Sequence, residues 1–307
     1  MNKKNPKKEK IKKVIVTGSS GFIGNALVEN FHSKGIAIHA IDQIPCKRKH
    51  NKSMIYDIKK PNILEKFLTE DTVIFHMAAS ANVANSVSDP VNDFENTLYG
   101  LFQVLESARK YNCKVIFPST ASIFDITNKL PVSEKSYIKP SSPYGAAKVS
   151  GEAYCFVYKR CYDIDVRIAR MFSVYGVGMR RFAIHDIVRN IQKNNKKLEI
   201  LGDGKQIRDY LYIDDAVEGL QVIAENGVAG EDYNLASGEQ IRLLDLAKMI
   251  ADEMGFPGIQ IDVTGDSFPG DVSKWYGDTK KISEIGFRQK TTLRSGLSKT
   301  IRWLVNN

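Results

Sequence analysis

The chain has 307 residues, 43% of them hydrophobic, and its 44 Lys and Arg against 35 Asp and Glu give a net charge of +9. This apolar fraction excludes a disordered chain, and 22 Gly with 10 Pro are too few for a collagen-like or low-complexity one. No apolar run approaches the roughly 18 residues of a membrane span, and no apolar segment follows the N-terminal lysines, so we expect a cytoplasmic protein.

The positive charge is concentrated at the N-terminus. Residues 1–12 are predicted to be a disordered basic tail, because residues 1–13 hold seven lysines, one glutamate and almost no apolar side chain. The rest of the chain is close to charge-balanced, which favours a small anionic ligand over nucleic acid or a membrane as its partner. Four cysteines without a Cys-x-x-Cys pair predict reduced thiols, and five histidines without ligand spacing predict no metal site.

The first half of the chain alternates short apolar runs with segments of helical periodicity. After a first helix that begins near Phe22, the predicted helices cover 62–68, 91–110 and 143–162, and the predicted strands cover 14–17, 36–41, 72–76 and 114–118. Continuous apolar strands separated by helices are typical of a parallel sheet covered on both faces. We therefore predict an α/β fold with a Rossmann-type doubly wound parallel sheet over residues 13–172.

The pattern changes after Arg170, where strands become shorter and loops longer. The predicted strands are 198–200, 233–235 and 259–263, and the predicted helices are 183–193, 214–225, 243–254 and 291–305. We interpret residues 173–307 as a smaller C-terminal α/β lobe that is interleaved with the first domain.

Three glycines follow the first strand and precede the first helix, in the pattern Gly18-x-x-Gly21-x-x-Gly24. Glycines at this place let the backbone turn sharply and approach a pyrophosphate, whose charge then meets the helix N-terminus. Asp42 closes the next predicted strand, where a carboxylate can bind ribose hydroxyls. The two features predict a dinucleotide site that prefers NAD to NADP, although Lys47 and Arg48 leave NADP open.

Tyr144 and Lys148 form a Tyr-x-x-x-Lys pair on the predicted helix that Pro143 opens. The spacing places the ammonium one turn along the same helix face as the phenol, and a nearby cation makes tyrosine a more useful acid or base. Two further pairs have the same spacing but lack the preceding strand and hydroxyl residues, and we interpret them as surface or packing residues: Tyr56 with Lys60 and Tyr276 with Lys280.

With these motifs the sequence resembles the extended short-chain dehydrogenase/reductases, in particular the NAD-dependent epimerase/dehydratase family that acts on nucleotide sugars. The likeness extends from about Lys13 to the end of the chain. It rests on the glycine pattern, the acidic residue after strand two, the Tyr-x-x-x-Lys pair and four further segments: His76–Ala79, Asn96–Gly100, Arg170–Gly176 and Arg208–Asp215.

The resemblance implies a role for each matching position. Tyr144 would be the acid/base, Lys148 its electrostatic partner and a ribose ligand, and Thr120 a hydrogen-bond donor to the reacting sugar oxygen. The implied cofactor-binding residues are Gly18, Ser20, Gly21, Phe22, Ile23, Gly24, Asp42, Asp57, Ile58, Met77, Ala78, Ala79, Asn96, Ser119, Tyr144 and Lys148. The implied substrate-binding residues, mostly in the C-terminal lobe, are Thr120, Ser173, Arg180, Arg181, Arg208 and Asp271.

Two departures from the family pattern affect how the substrate would be bound. Ser173 stands where Asn is common, and Phe268 stands where the family often has an Arg that binds the diphosphate. Arg180 and Arg181 are candidates to compensate, with a solvated helix end as the alternative. Arg208 would clamp the diphosphate, with a salt bridge to Asp209 or Asp214 as its alternative role.

The segment Thr120-Ala121-Ser122 distinguishes between reactions. Family dehydratases and decarboxylases carry carboxylates there, and this chain has none, which disfavours both activities. We therefore predict NAD-dependent oxidation at C4 of a nucleotide sugar through a 4-keto intermediate, by a 4-epimerase in surface-polysaccharide sugar biosynthesis. A 4-dehydrogenase or 4-ketoreductase with net NAD(H) turnover is the alternative, and a non-catalytic nucleotide-binding protein is the second. Family members commonly dimerise through the 91–110 and 144–162 helices, so a homodimer is expected.

Overall fold

The computed structural model describes residues 10–46, 53–125, 127–265 and 274–307. The first half contains β1 (Lys13–Thr17), α1 (Phe22–Ser33), β2 (Ala37–Asp42), β3 (Met54–Ile55), β4 (Thr72–His76), α2 (Val83–Ser88), α3 (Pro90–Phe94), α4 (Gly100–Tyr111), β5 (Lys114–Thr120) and α5 (Pro143–Tyr162). The second half contains β6 (Val166–Met171), β7 (Ser173–Tyr175), α6 (Ala183–Lys193), β8 (Lys197–Ile200), β9 (Ile207–Arg208), β10 (Tyr210–Tyr212), α7 (Ile213–Asn226), β11 (Asp232–Leu235), β12 (Ile241–Arg242), α8 (Leu243–Glu253), β13 (Gln260–Val263), α9 (Lys280–Glu284) and α10 (Leu293–Val305).

The central sheet has seven strands in the order β11-β6-β5-β4-β1-β2-β3, and every neighbouring pair is parallel. The strand order reverses between β1 and β4, and ligands of doubly wound sheets bind at the carboxyl ends of the strands beside such a reversal. The sheet confirms the predicted Rossmann-type α/β fold.

Alternate residues of β1 belong to different cores, as the two-residue period of a strand requires. Val14 and Val16 pack with Phe31 of α1, whereas Ile15 packs with Leu105 of α4 on the opposite face. All five of these side chains are fully buried. Helices therefore cover both faces of the sheet, which explains why its strands read as unbroken apolar runs.

Helix α5 begins and ends where the sequence predicts. Ser142 caps it by accepting a hydrogen bond from the Gly145 amide at 3.1 Å, and Pro143 occupies its first position. This helix carries Tyr144 and Lys148, so its start determines where both side chains lie.

Two predicted helices are wrong in detail. The segment 62–68 forms only a 3₁₀ turn over Glu65–Phe67, because Asn62 adopts a left-handed conformation with φ 62°. The predicted 91–110 helix is interrupted by a π-helical turn over Glu95–Tyr99, which separates α3 from α4. Periodicity also missed the short helix α2.

Two C-terminal elements return to the central sheet. Strand β11 pairs with β6, with Tyr233 opposite Ala169, and α7 packs on α1. The remaining strands form two-stranded pairs outside the sheet: β7 with β10, β9 with β12 and β8 with β13. The division into a residue 13–172 domain and a residue 173–307 lobe stays a proposal, in which α7 and β11 are the interleaved elements.

Candidate active site

A cavity of about 1410 Å³ lies at the carboxyl ends of β1, β4 and β5, where Gly18, Met77 and Thr120 line it. Its other side is formed by the chain after β6, including Ser173 and Arg208. Single-ligand pockets usually measure about 300–1,000 Å³. The cavity is therefore large enough for a dinucleotide and a second ligand together.

The glycine loop accepts no larger residue at two of its three glycines. A Cβ on Gly24 would lie 2.1 Å from the Gly18 carbonyl oxygen, and Gly18 has φ 65° with a would-be Cβ 2.6 Å from the Ala78 amide nitrogen. The first turn of α1 has no acidic residue and no side-chain cap. Its amide groups therefore suit a phosphate anion, and the loop fits the predicted dinucleotide.

Asp42 holds this loop from the end of β2. Its Oδ2 atom accepts a hydrogen bond from the Ser20 amide at 2.9 Å, and its Oδ1 atom accepts one from the Ile44 amide at 3.2 Å. The loop and the carboxylate that the sequence paired are therefore in direct contact. Lys47 and Arg48, which bear on the choice between NAD and NADP, lie outside the described residues.

The predicted cofactor residues divide into two groups. Those on the cavity wall are Gly18, Ser20, Gly21, Phe22, Ile23, Gly24, Met77, Ala79, Ser119, Tyr144 and Lys148. Those that are described but do not line it are Asp42, Asp57, Ile58, Ala78 and Asn96. Ile58 belongs to the core beneath α4, and the side-chain amide of Asn96 donates to the Asn92 backbone oxygen at 2.8 Å.

Tyr144 and Lys148 face the cavity from the first two turns of α5. Lys148 is buried, and its Nζ atom donates to the Pro118 carbonyl oxygen at 2.7 Å and lies 5.9 Å from the centre of the Tyr144 ring. Burial raises the pKa of Tyr144 to about 12, while the Thr120 hydroxyl and Arg181 act in the opposite direction. Burial also lowers the pKa of Lys148 to about 8.

One buried side chain beside this pair was not predicted from the sequence. Asp93 on α3 is 1% exposed, and the hydroxyls of Thr97 and Ser80 are the hydrogen-bonding side chains near its carboxylate. Burial raises its pKa, and its negative charge raises the pKa of both Lys148 and Tyr144. Asp93 has no motif around it, so only the packing of α3 on α5 reveals it.

His76 at the end of β4 shares this environment. Its Nδ1 atom is 2.9 Å from the Thr17 hydroxyl, and its Nε2 atom has no partner in the described part of the chain. Burial, with a smaller effect from Lys148, lowers its pKa to about 3. The imidazole is therefore neutral, and it supports the end of β4 next to the cavity.

The predicted substrate residues Thr120, Ser173, Arg180, Arg181 and Arg208 all line the cavity, whereas Asp271 lies outside the described residues. The Arg208 guanidinium is 4.5 Å from the ring centre of Trp275, another cavity residue.

Asp209 does not form a salt bridge with Arg208. It is fully buried and accepts hydrogen bonds from the amides of Ser237, Gly238 and Gly277 at 2.7–3.2 Å. These three amide contacts occupy the Asp209 carboxylate.

The segment after β5 carries hydroxyls where other reactions would need carboxylates. The Thr120 hydroxyl donates to Ser122 Oγ at 3.2 Å and accepts from the Ser122 amide at 3.1 Å. The carboxylates among the described lining residues belong to Asp186 on α6 and Glu199 on β8.

The described ranges contain no group of three side chains suited to a metal ion. No helix in these ranges is both long and apolar enough to span a bilayer.

A glycine-rich loop at the strand reversal of a parallel sheet, facing a buried Tyr/Lys pair across one cavity, is typical of the short-chain dehydrogenase/reductase class. The family model of the NAD-dependent epimerase/dehydratase family matches residues 14–236. The chain belongs to that family, which confirms the resemblance, the extended short-chain dehydrogenase/reductase class and NAD as the cofactor.

Named relatives align with nearly the whole chain. The putative UDP-glucose 4-epimerase of Methanocaldococcus jannaschii is 32% identical, over 96% of this chain and 99% of its own. The structure of UDP-glucose 4-epimerase from Thermotoga maritima with UDP-glucose is 27% identical with a TM-score of 0.88, and covers 96% of this chain and 99% of its own. The Thermus thermophilus UDP-glucose 4-epimerase, solved with NAD, is 25% identical with a TM-score of 0.85, and covers 95% of this chain and 99% of its own.

Proposed function

We propose that this enzyme is a nucleotide-sugar 4-epimerase that oxidises C4 of its substrate and reduces the 4-keto sugar on the opposite face. The observation that carries the proposal is the Tyr144, Lys148 and Thr120 set on the cavity wall, with Ser122 where a dehydratase or decarboxylase has a carboxylate. The epimerase names of the relatives support the same reaction. Supply of sugars for surface polysaccharides is the proposed pathway, and the cytoplasm is the proposed location.

Tyr144 accepts the proton of the C4 hydroxyl, and Thr120 hydrogen-bonds the same oxygen so that its lone pair and proton are correctly placed. A bound NAD would supply the acceptor, and later the donor, of the C4 hydride. Lys148 keeps a positive charge beside the tyrosine while its Nζ atom is held by Pro118. Tyr144 then gives the proton back, so proton and hydride both balance over the cycle.

Burial of Tyr144 opposes its role as a base, because burial disfavours the charged phenolate. With a pKa of about 12 the Tyr144 phenol is protonated at neutral pH, so cations near the ring must stabilise the phenolate during the reaction. Two cationic side chains are placed to stabilise the phenolate. Arg181 lies just before the start of α6, and Lys148 lies one turn after Tyr144 on α5.

The test is incubation of the purified full chain with UDP-glucose, UDP-galactose, UDP-N-acetylglucosamine and their dTDP counterparts. We expect inversion at C4, read by NMR of the anomeric and C4 protons, without accumulation of NADH. NADH formed in step with substrate loss would contradict an epimerase and favour the 4-dehydrogenase. Absence of any sugar turnover, with intact nucleotide binding, would favour the non-catalytic alternative.

The matched variant is Tyr144→Phe, which keeps the ring but removes the acid/base. We expect turnover to fall by about 10²-fold or more while NAD still binds with nearly unchanged affinity. A Phe variant with wild-type turnover would contradict the mechanism.

A further inference from the structure

Backbone contacts with β9 place Trp275 on the cavity wall. Its amide donates to the Ile207 carbonyl oxygen at 3.1 Å, and Ile207 forms a bridge with Lys274. The chain therefore returns beside β9, whose last residue is Arg208. This pairing brings the indole and the guanidinium together even though they are far apart in sequence.

The contact between the two side chains has a defined geometry. The Arg208 guanidinium carbon lies 4.5 Å from the ring centre of Trp275, while Arg208 Nη1 donates to the Ile207 backbone oxygen at 3.0 Å. The indole itself is half-buried against the core around Phe124 and Phe172. A planar guanidinium stacked on a fixed ring keeps its fork of donors in one orientation, which favours bidentate binding of phosphate.

The indole N–H group also supports a role for Trp275 at the cavity. Trp275 Nε1 is buried and has no hydrogen-bond partner among the described residues. A buried donor without an acceptor is unfavourable, so an acceptor that arrives with a ligand would be favoured. In the sequence, Phe268 stands where the family often has an arginine for the diphosphate, so a further ligand contact would compensate for it.

We propose that Trp275 is a substrate-positioning residue, which holds Arg208 on the cavity wall for the diphosphate of the nucleotide sugar and gives its own N–H an acceptor in that complex. The inference rests on the proposed nucleotide-sugar function.

The experiment compares wild type, Trp275→Leu and Trp275→Phe as full chains. Calorimetric titration measures the dissociation constants of UDP, dTDP and GDP, and separately that of NAD. We expect Trp275→Leu to weaken binding of the preferred diphosphate about tenfold and Trp275→Phe, which keeps a ring face, to recover part of the loss. NAD affinity should stay within about twofold, and KM for the sugar nucleotide should rise more than kcat falls.

A double-mutant cycle with Arg208→Lys tests whether Trp275 acts through the arginine. If it does, Trp275→Leu should have a clearly smaller effect in the Arg208→Lys background than in wild type. Tyr162→Leu is the matched control, because Arg109 lies 5.2 Å over that exposed ring and neither residue lines the cavity. It should leave diphosphate binding unchanged.

The results distinguish failure of the proposed function from failure of the role proposed for Trp275. If wild type binds no nucleoside diphosphate, the proposed function fails and the inference with it. If wild type binds one and Trp275→Leu binds it equally well, only the inference is overturned. Strictly additive effects of Trp275→Leu and Arg208→Lys would overturn the positioning role, and so would an equal loss of NAD binding, which would show that Trp275 has only a general structural role.

Discussion

Lys148 lies among charged and titratable groups from three elements. Asp93 faces it from α3, Glu152 and Cys155 from α5 itself, and His76 from β4. Burial lowers the pKa of Lys148, and the acidic neighbours, Asp93 first, raise it back to about 8. The charge that the reaction needs on Lys148 is therefore close to its titration point, and its alkaline limit depends on Asp93.

Replacing Asp93 by Asn should lower the pKa of Lys148, because the variant removes a negative charge that stabilises the ammonium. Lys148 is charged below its pKa, so the alkaline limb of kcat/KM should move from near pH 8 to a lower pH. The pH profile of kcat/KM measures this shift, and Asp93→Glu should restore the limb. Glu95→Gln is the control, since that carboxylate is exposed and pairs with Lys59 at 3.6 Å. An unmoved limb in Asp93→Asn would disprove the electrostatic role.

Gly24 is the residue that brings α1 close to the loop. Gly24→Ala should abolish measurable NAD binding and destabilise the fold by about 2 kcal/mol or more, because the added Cβ would overlap the Gly18 carbonyl. Titration with NAD and urea unfolding measure the two effects. Gly35→Ala is the control: Gly35 has φ 68° but open space around a Cβ, so it should cost only about 1 kcal/mol and leave NAD binding intact.

Helix α5 is fixed to the sheet by a buried ion pair as well as by apolar contacts. Arg170 on β6 binds Glu152 on α5 through two hydrogen bonds of 3.0 and 2.7 Å, and both side chains are 3% exposed. The same guanidinium contacts Asp232 of β11 at 2.5 Å. This pairing joins the helix that carries Tyr144 to two neighbouring strands.

Glu152→Ala should lower the free energy of unfolding by about 3 kcal/mol or more, because it leaves Arg170 buried without its bidentate partner. Urea unfolding at neutral pH measures the loss. The exposed pair of Lys159 with Asp163, at the C-terminal end of the same helix, provides the comparison: Asp163→Asn should cost far less. Equal losses in the two variants would show that burial of the Arg170 pair has no special effect.

In the described part of the molecule, several exposed apolar side chains lie on the helices expected to form the dimer. Val91 and Phe94 of α3 are 67% and 53% exposed, and Tyr154 and Val157 of α5 are 43% and 49% exposed. Apolar patches of this kind commonly mark protein interfaces. We propose a homodimer in which these two helices of one protomer pack against those of its partner.

Phe94→Asp combined with Val157→Asp should convert the dimer to a monomer, because each protomer would bury two unpaired charges. Light scattering coupled to gel filtration measures the mass. Val305→Asp, at an exposed apolar residue of α10, should leave the mass unchanged. A monomeric wild-type protein would contradict the proposed assembly.

The sequence by itself determined the fold class, the family, the cofactor and the position of α5, because each depends on local patterns: apolar strands, a glycine turn, a capped helix and a fixed spacing of Tyr144 and Lys148. It also placed most of the net positive charge in residues 1–13, of which residues 1–9 lie outside the described part of the chain. Local patterns failed where the backbone departs from regular geometry, at Asn62 and at the π-helical turn over Glu95–Tyr99.

Only the tertiary structure decided which residues surround the reacting groups. Asp93 meets Lys148 through the packing of α3 on α5, Trp275 meets Arg208 through backbone pairing with β9, and Asp209 uses its carboxylate on three backbone amides. None of these contacts leaves a periodic or spaced signal, because the partners are far apart in the chain. Their energies depend on burial, which raises the cost of an unpaired charge or donor and which a sequence without its fold does not specify.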